Sequence, residues 1–347
     1  FDKGAGMVYM PDLGRLVLFL KKRGLMQEYE KFLIQADQKD FRLFLETHQI
    51  KKNDYPAFVS YGISAGEAAH SQHFREVLTF LKGPDGLPYI PGSSIKGALR
   101  SALAAKLLRN GGWNYHKNII EREGDNFRGR RYYLEHENKK LEQSVFHRLE
   151  LRDPSNPGTN ISGPVNDFMR GIQISDSFPL EYKQLTLTGK YDRKPDGSFK
   201  LLPIYRECLI PGSEAHFILT LDLPVLEKAG LDLSFIEDAL HSFSDDYYVN
   251  FEQFFNELPE DASMGAKEGV DIILGGGAGY VSKTIVYNLF ADRARALPLV
   301  SKIMSKQFHN HKHELDTEKY KASPHILKTT FYEGKYYQMG RCELVLD

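Results

Sequence analysis

The chain has 347 residues, of which 41% are hydrophobic and 26% charged, and a formal net charge of −1. That is enough apolar matter for two domains or one elaborated domain, and it excludes a generic polycation, so any nucleic-acid surface must be local. No apolar run reaches the roughly 18 residues of a membrane span, no leader pattern is visible, and two cysteines, Cys208 and Cys342, exclude a disulfide framework and point to reduced thiols in the cytoplasm.

Residues 12–48 read as helical: Leu16, Leu18, Phe19 and Leu20 run into Lys21, Lys22, Arg23 and Gly24, with further segments at 26–34 and 40–48. Residues 49–70 are polar and mixed, 74–81 suggest a short strand, and "GPDGLP" at 83–88 is a turn by composition. "YIPGSS" then enters a helix, with Ser93 or Ser94 as N-cap and with Ile95, Leu99, Ala102, Leu103 and Leu107 at helical spacing. Gly111 and Gly112 stop it.

The polar, turn-rich stretch 114–166 reads as an insertion between core elements. Strand-like alternation follows at 171–179, 180–192 and 201–223, with a hairpin turn in "RKPDGSF" at 193–199. Residues 224–258 return to helix, and 272–290 read as strand, glycine loop and helix. A basic, histidine-containing segment and a terminal strand close the chain. Mixed antiparallel strands and interspersed helices predict an α+β fold, divided into 1–223, carrying the insertion, and 224–347.

The nucleotide-loop pattern G-x-x-x-x-G-K-[ST] fails in the first loop, because Lys96 precedes Gly97. In the second, "GAGYVSKT" at 277–284 carries Ser282 where glycine belongs. A dinucleotide fingerprint fails at Tyr280, and no serine elbow surrounds Ser93 or Ser94. His309, His311 and His313 would share a face on a strand and could bind a metal, but no acidic residue is interleaved, and the plainer reading is a solvated basic segment. No metal and no cofactor is expected.

Holding a phosphate without hydrolysis asks for less: free N–H groups at a helix start, glycines and a cation or two. The first loop offers Gly92, Ser93 and Ser94 at the helix mouth, with Lys96 and Arg100 one turn apart. The second offers Gly275, Gly276, Gly277 and Gly279 before Lys283 and Thr284. For either loop alone, a helix cap plus a tight turn explains the residues equally well. Between 81 and 131, ten basic residues stand against four acidic ones, interleaved with Trp113, Tyr115, Phe127, Tyr132 and Tyr133. Such a mixture suits single-stranded nucleic acid or, as plainly, a solvated loop with some buried rings.

"YIPGSSIKGALRSAL" resembles the signature of the RAMP proteins of CRISPR systems, and "LGGGAGYVSKT" resembles their C-terminal glycine loop. "YMPDLGRL", "FLIQ", "ISDSFP", "LPIYRECLIPGSE" and "YQMGRCELVL", in that order, resemble the fifth-subunit family of the type III-A (Csm) effector complex. The likeness is weakest at 114–166 and 295–325. It implies a ferredoxin-like, RRM-related core. It also implies a non-catalytic cap subunit that holds the 3′ portion of the guide RNA (crRNA). The partners it implies are a backbone RAMP subunit, a small helical subunit and, transiently, host nucleases that mature the guide. It further implies a first strand not visible here, so residues are expected to be missing before Phe1 or between Gly4 and Met7.

On this reading Lys96, Arg100 and Lys283 hold phosphates, and Arg206 either joins them or pairs with Glu207. Two alternatives stay open. A RAMP-type endoribonuclease would draw on His116, His136, His147 or the 309–313 cluster. A pure assembly adaptor would use both glycine loops as packing turns. The hairpin at 180–200 is slightly favoured over 114–166 as a thumb-like element.

Overall fold

The computed structural model describes every residue except 3, 35–39, 71–76, 126–133, 162, 256–270, 291 and 347. Strand β1 (Met7–Pro11) leads to Asp12, whose carboxylate accepts the Arg15 N–H at 2.9 Å and starts α1 (Leu13–Lys22). Helices α2 (Met26–Ile34) and α3 (Phe41–Thr47) follow, the latter capped by Asp40. Next come β2 (Val59–Ser64), β3 (Val77–Leu78), α4 (Gly92–Arg109), α5 (Asn114–Asp125) and α6 (Glu135–Phe146). Short strands β4 (Arg152–Asp153), β5 (Asn156–Asn160) and β6 (Ile172–Ile174) precede the long β7 (Leu185–Arg193) and β8 (Phe199–Leu209). After β9 (Leu219–Leu221) lie α7 (Leu223–Lys228), α8 (Leu233–Asn250), β10 (Ile272–Ile273), α9 (Val286–Phe290) and α10 (Arg293–Gln307). Strands β11 (Leu327–Tyr332), β12 (Lys335–Gln338) and β13 (Arg341–Cys342) end the described chain.

The chain forms two compact units that are each discontinuous in sequence: 1–88, 179–189 and 203–214 in the first, the remainder in the second. The division expected near residue 223 differs from this, because β7 and β8 are long enough to give residues to both units.

In the first unit β1 pairs antiparallel with β2, Val8 opposite Ile63, and β2 runs parallel to β7 at Ser64 and Thr186. Strand β3 runs parallel to β8. Val8, Ile63, Ala65, Leu185, Leu187 and Tyr205 make one buried cluster on this sheet. Leu16, Leu20, Phe44, Leu45, Ile50 and Phe58 make a second one under α1 and α3. The apolar spacing of 12–48 therefore did mark real helices.

The second unit is organised on α4. Its 18 residues bury Ile95, Leu99, Ala102, Leu103 and Leu107, the positions set by the helical repeat. It packs against α6, α8, α9, β6 and β10. Strands β11 and β12 form a hairpin, and β11 pairs antiparallel with β7, Leu327 opposite Arg193. The turn expected at 193–199 is present: Lys194 N–H donates to the Ser198 carbonyl at 2.9 Å, and Gly197 has φ +82.

Two expectations change. The stretch 114–166 is largely helical where described, and Ile120, Leu141, Val145, Phe146 and Leu149 are in the core. Helix α10 was not foreseen. Pro298 interrupts its pattern, but Ala296, Val300, Ile303 and Met304 still bury one face. Among the described residues no helix is long and apolar enough to cross a membrane.

Candidate nucleic-acid interface

The first loop is clamped by the segment after β6. Ile90 N–H donates to Ser177 Oγ at 2.9 Å, Ser177 N–H to the Ile90 carbonyl at 2.9 Å, and Gly92 N–H to Asp176 Oδ1 at 2.9 Å. A Cβ on Gly92 would sit 2.2 Å from the Ser175 carbonyl oxygen and 2.3 Å from that of Ile174, so only glycine allows the approach. The N-cap is Pro91, with φ −63 and ψ 133, rather than Ser93 or Ser94. Gly92 begins the helix two or three residues earlier than expected because Asp176, distant in sequence, supplies the capping carboxylate. Two of the helix-start N–H groups are therefore spoken for, that of Gly92 by Asp176 and that of Ser94 by the Pro91 carbonyl, while the hydroxyls of Ser93 and Ser94 have no partner among the described residues.

The cations of α4 differ in what holds them. Lys96 is half-buried and forms no ion pair among the described residues. Arg100 lies 2.7 Å from Asp167 and 3.7 Å from Glu142, with its guanidinium 3.5 Å over the Phe146 ring. It is bound within the unit by carboxylates at its N–H groups and by the ring on one face, a use that arginine's flat fork permits. Lys106 pairs with Asp238, and Arg109 with Asp246, both on α8. The run of basic residues between 81 and 131 is thus narrower as a surface than it is as text. Its partners come from remote segments, while Phe127, Arg128, Arg130, Arg131, Tyr132 and Tyr133 lie outside the described residues.

The second loop is set by β10, which pairs with β13, Ile272 opposite Cys342. Leu274 N–H donates to the Gly340 carbonyl at 2.7 Å. Gly275 and Gly279 have φ +87 and +94, and a Cβ on Gly277 would lie 2.9 Å from Met339 Cε. Gly276 is exposed at the tip. The loop then folds back on itself: Ser282 Oγ donates to the Gly279 carbonyl at 3.3 Å, and the exposed Lys283 ammonium to the Gly275 carbonyl at 3.3 Å. Thr284 Oγ1 donates to the Tyr280 phenol at 3.2 Å and accepts the Val286 N–H at 3.3 Å. The helix expected here is only α9, five residues long, reached through a tight turn at Val281–Lys283. It adds little dipole.

The two loops meet through α4, which packs on β10, on the turn Val281–Lys283 and on α9. Ile95 and Leu99 share a core with Ala278, Val281, Val286 and Tyr287.

Arg206, in the first unit, does not pair with Glu207. Successive residues of β8 point to opposite faces, and Glu207 takes the Tyr61 phenol at 2.6 Å, the Phe80 N–H at 2.7 Å and the Lys82 ammonium at 2.8 Å. Burial and then Glu207 push the Tyr61 phenol well above its usual range. Arg206 Nε is buried with no partner among the described residues.

The histidines singled out from the sequence lie in separate surroundings. His116 Nε2 lies 3.1 Å from Ser144 Oγ, whose hydroxyl donates to the Lys140 carbonyl. Burial lowers the His116 pKa, and the Lys140 charge adds to that. His309 and His311 sit exposed on a tight turn, not on a strand, and His313 is buried, its ring stacked on that of His311 with centroids 5.9 Å apart.

A family model described as the RAMP superfamily matches residues 52–281, a span holding the first loop and most of the second. The chain belongs to that superfamily. This RAMP chain is 32% identical over 280 residues to "CRISPR system Cms protein Csm5" of Mycobacterium tuberculosis, a match spanning 78% of the chain and 66% of that protein. It is 29% identical to the protein of the same name from Streptococcus thermophilus, across 80% of the chain and 71% of the relative. Among solved structures it is similar to a chain of a Csm–crRNA–target RNA ternary complex, with TM-score 0.64 and 20% identity over 97% of this chain and 91% of that one. It is similar also to T. onnurineus Csm5, with TM-score 0.55, 18% identity and 98% and 93% coverage. The α+β class and the RAMP resemblance read from the signature are both borne out.

Proposed function

We propose that this RAMP chain is a non-catalytic crRNA-binding subunit at the end of the backbone of a type III-A CRISPR effector complex. It holds the 3′ portion of the guide and supports 3′-end maturation by recruited nucleases in the cytoplasm. Its immediate neighbours are a backbone RAMP subunit and the small helical subunit. The relatives named Csm5 support the assignment to such a complex. The observation that carries the RNA reading is the packing of two glycine loops on one helix, with half-buried Lys96 on that helix and exposed Lys283 at the end of the second loop, neither with a carboxylate partner among the described residues. Cations held off carboxylates are available to phosphate, and phosphate contacts hold RNA without reading its sequence. Arg206, with its unpartnered Nε, belongs to the same set of candidates. Arg100 joins it only as a residue that shapes α4 while sharing its charge with Asp167. No observation favours the endoribonuclease.

The test co-expresses K96A/K283A with the other complex subunits and a CRISPR array, and reads the guide length in the purified complex on a gel. Heterogeneous or shortened 3′ ends, with the variant subunit still present, are expected. Unaltered guides in an intact complex would remove the loops from the RNA. Loss of the variant subunit, with the isolated variant folded, would favour the adaptor reading.

A further inference from the structure

His313, Asp316 and His325 converge in the second unit, and the proposed function uses none of them. His313 Nδ1 is 3.1 Å from Asp316 Oδ2, and His325 Nδ1 is 2.5 Å from Asp316 Oδ1. One ligand atom from each of the three lies within 4.8 Å of the others. Their exposures are 3%, 0% and 3%, respectively.

We infer that His313, Asp316 and His325 form a site for one divalent transition-metal cation of the zinc class, held by two imidazole nitrogens and a carboxylate oxygen.

Three observations carry this. The first is the donor set. Two imidazoles and a carboxylate suit zinc, cobalt and nickel, whereas magnesium and calcium ask for oxygen alone. At metal–nitrogen distances of about 2.0–2.1 Å, neighbouring ligands stand roughly 3.3 Å apart; the 3.1 Å between His313 Nδ1 and Asp316 Oδ2 is close to that, while the 2.5 Å between His325 Nδ1 and Asp316 Oδ1 has to open to admit the ion. The second is charge. Asp316 is fully buried, and among the described residues it forms no pair with lysine or arginine. His313, His325 and Ser323 surround its oxygens, and a dication would exchange the two imidazole hydrogen bonds for a full countercharge, which a buried carboxylate favours.

The third is preorganisation. Ser323 Oγ donates to Asp316 Oδ2 at 2.6 Å, and Ala322 N–H to the Asp316 carbonyl at 3.1 Å. The Tyr320 ring stacks on His325 at 4.6 Å, and Ser301 Oγ of α10 donates to the His313 carbonyl at 2.7 Å. Outer contacts of this kind fix the orientation of metal ligands. The metal takes the place of the Nδ1–H···O bonds to the carboxylate: each neutral imidazole keeps its single proton on Nε2, and a proton is released only from an imidazole that was doubly protonated. Its structural effect is to tie residues 313–325 to one another, a segment that Ser301 of α10 already holds through the His313 carbonyl.

The experiment uses the untagged full chain, stripped with a chelator at pH 7.5. It is titrated with zinc chloride by calorimetry and, separately, with cobalt chloride by visible absorption. One equivalent of zinc, and cobalt bands of a nitrogen- and oxygen-ligated ion, are expected. H313Q and H325Q keep a hydrogen-bond donor but remove a ligand, and each should weaken binding at least about tenfold. H309Q/H311Q should bind as the wild type does. Failure of the stripped wild type to take up one equivalent overturns the proposal, even where a variant does not fold. Full binding by both H313Q and H325Q, or loss of binding in H309Q/H311Q, overturns it equally, since the metal would then sit elsewhere.

Discussion

At the scale of single residues, Gly92 is the most constrained position of the RAMP signature. Its missing Cβ, rather than its flexibility, is what the fold uses. Gly92→Ala should cost about 3 kcal/mol through backbone clash with the 174–175 carbonyls, read as a lower urea midpoint. Lys96→Ala should leave stability within about 0.5 kcal/mol, because nothing in the unit leans on that charge. Glu207→Ala should cost about 3–5 kcal/mol, since it strands the Lys82 ammonium, the Tyr61 phenol and the Phe80 N–H together. The sequence suggested Arg206 as Glu207's alternative partner, but adjacency along a strand is the arrangement that keeps two side chains apart. Burial pushes both Cys208 and Cys342 up to about 11. The unfolded chain ionises first, so the thiols' contribution to stability is whole below pH about 9 and is lost as pH climbs toward 11. Alkylation of the native protein at pH 8 should accordingly run far more slowly than in denaturant, and a native rate matching the denatured one would show the thiols to be open.

At the scale of elements, periodicity was enough to find α1 to α4: α1 buries Leu16 and Leu20, α3 buries Phe44 and Leu45, α2 lays Met26, Tyr29 and Phe32 against the same cluster half-buried, and α4 is buried at every position of the repeat that was read. The start of α4 was misplaced by two or three residues, and the reason is remote: the Asp176 carboxylate that occupies the Gly92 N–H lies 84 positions on. The same distance effect hides the pairing of the basic run. Arg100 finds Asp167 after 67 positions and Lys106 finds Asp238 after 132, and no local window contains both partners. His313 illustrates the reverse case. Reading it with His309 and His311 grouped it by sequence, but Asp316 three residues on was the usable signal. His325 joins only through the fold. Arg100→Ala should lower stability by about 1–2 kcal/mol, discounted for its part exposure. A denaturation midpoint equal to that of Lys96→Ala would contradict the difference drawn between the two cations.

At the scale of the whole molecule, a net charge of −1 leaves RNA binding to a few placed cations rather than to an overall field. In the assembled complex, removing Lys96 and Lys283 should flatten the slope of log affinity against log salt by roughly 0.7 per lysine, as for single strands. A filter-binding series over salt concentration measures it, and parallel lines for wild type and variant would count against phosphate contact. The two discontinuous units have a consequence for synthesis. The ribosome makes residues 1–88 first, but the first unit waits for 179–189 and 203–214 before it is complete. During that interval, roughly ten seconds at ordinary elongation rates, β2 has β1 on one edge and nothing on the edge that β7 will occupy. The nascent chain thus carries an open strand edge, and a ribosome stalled before residue 185 would leave it so.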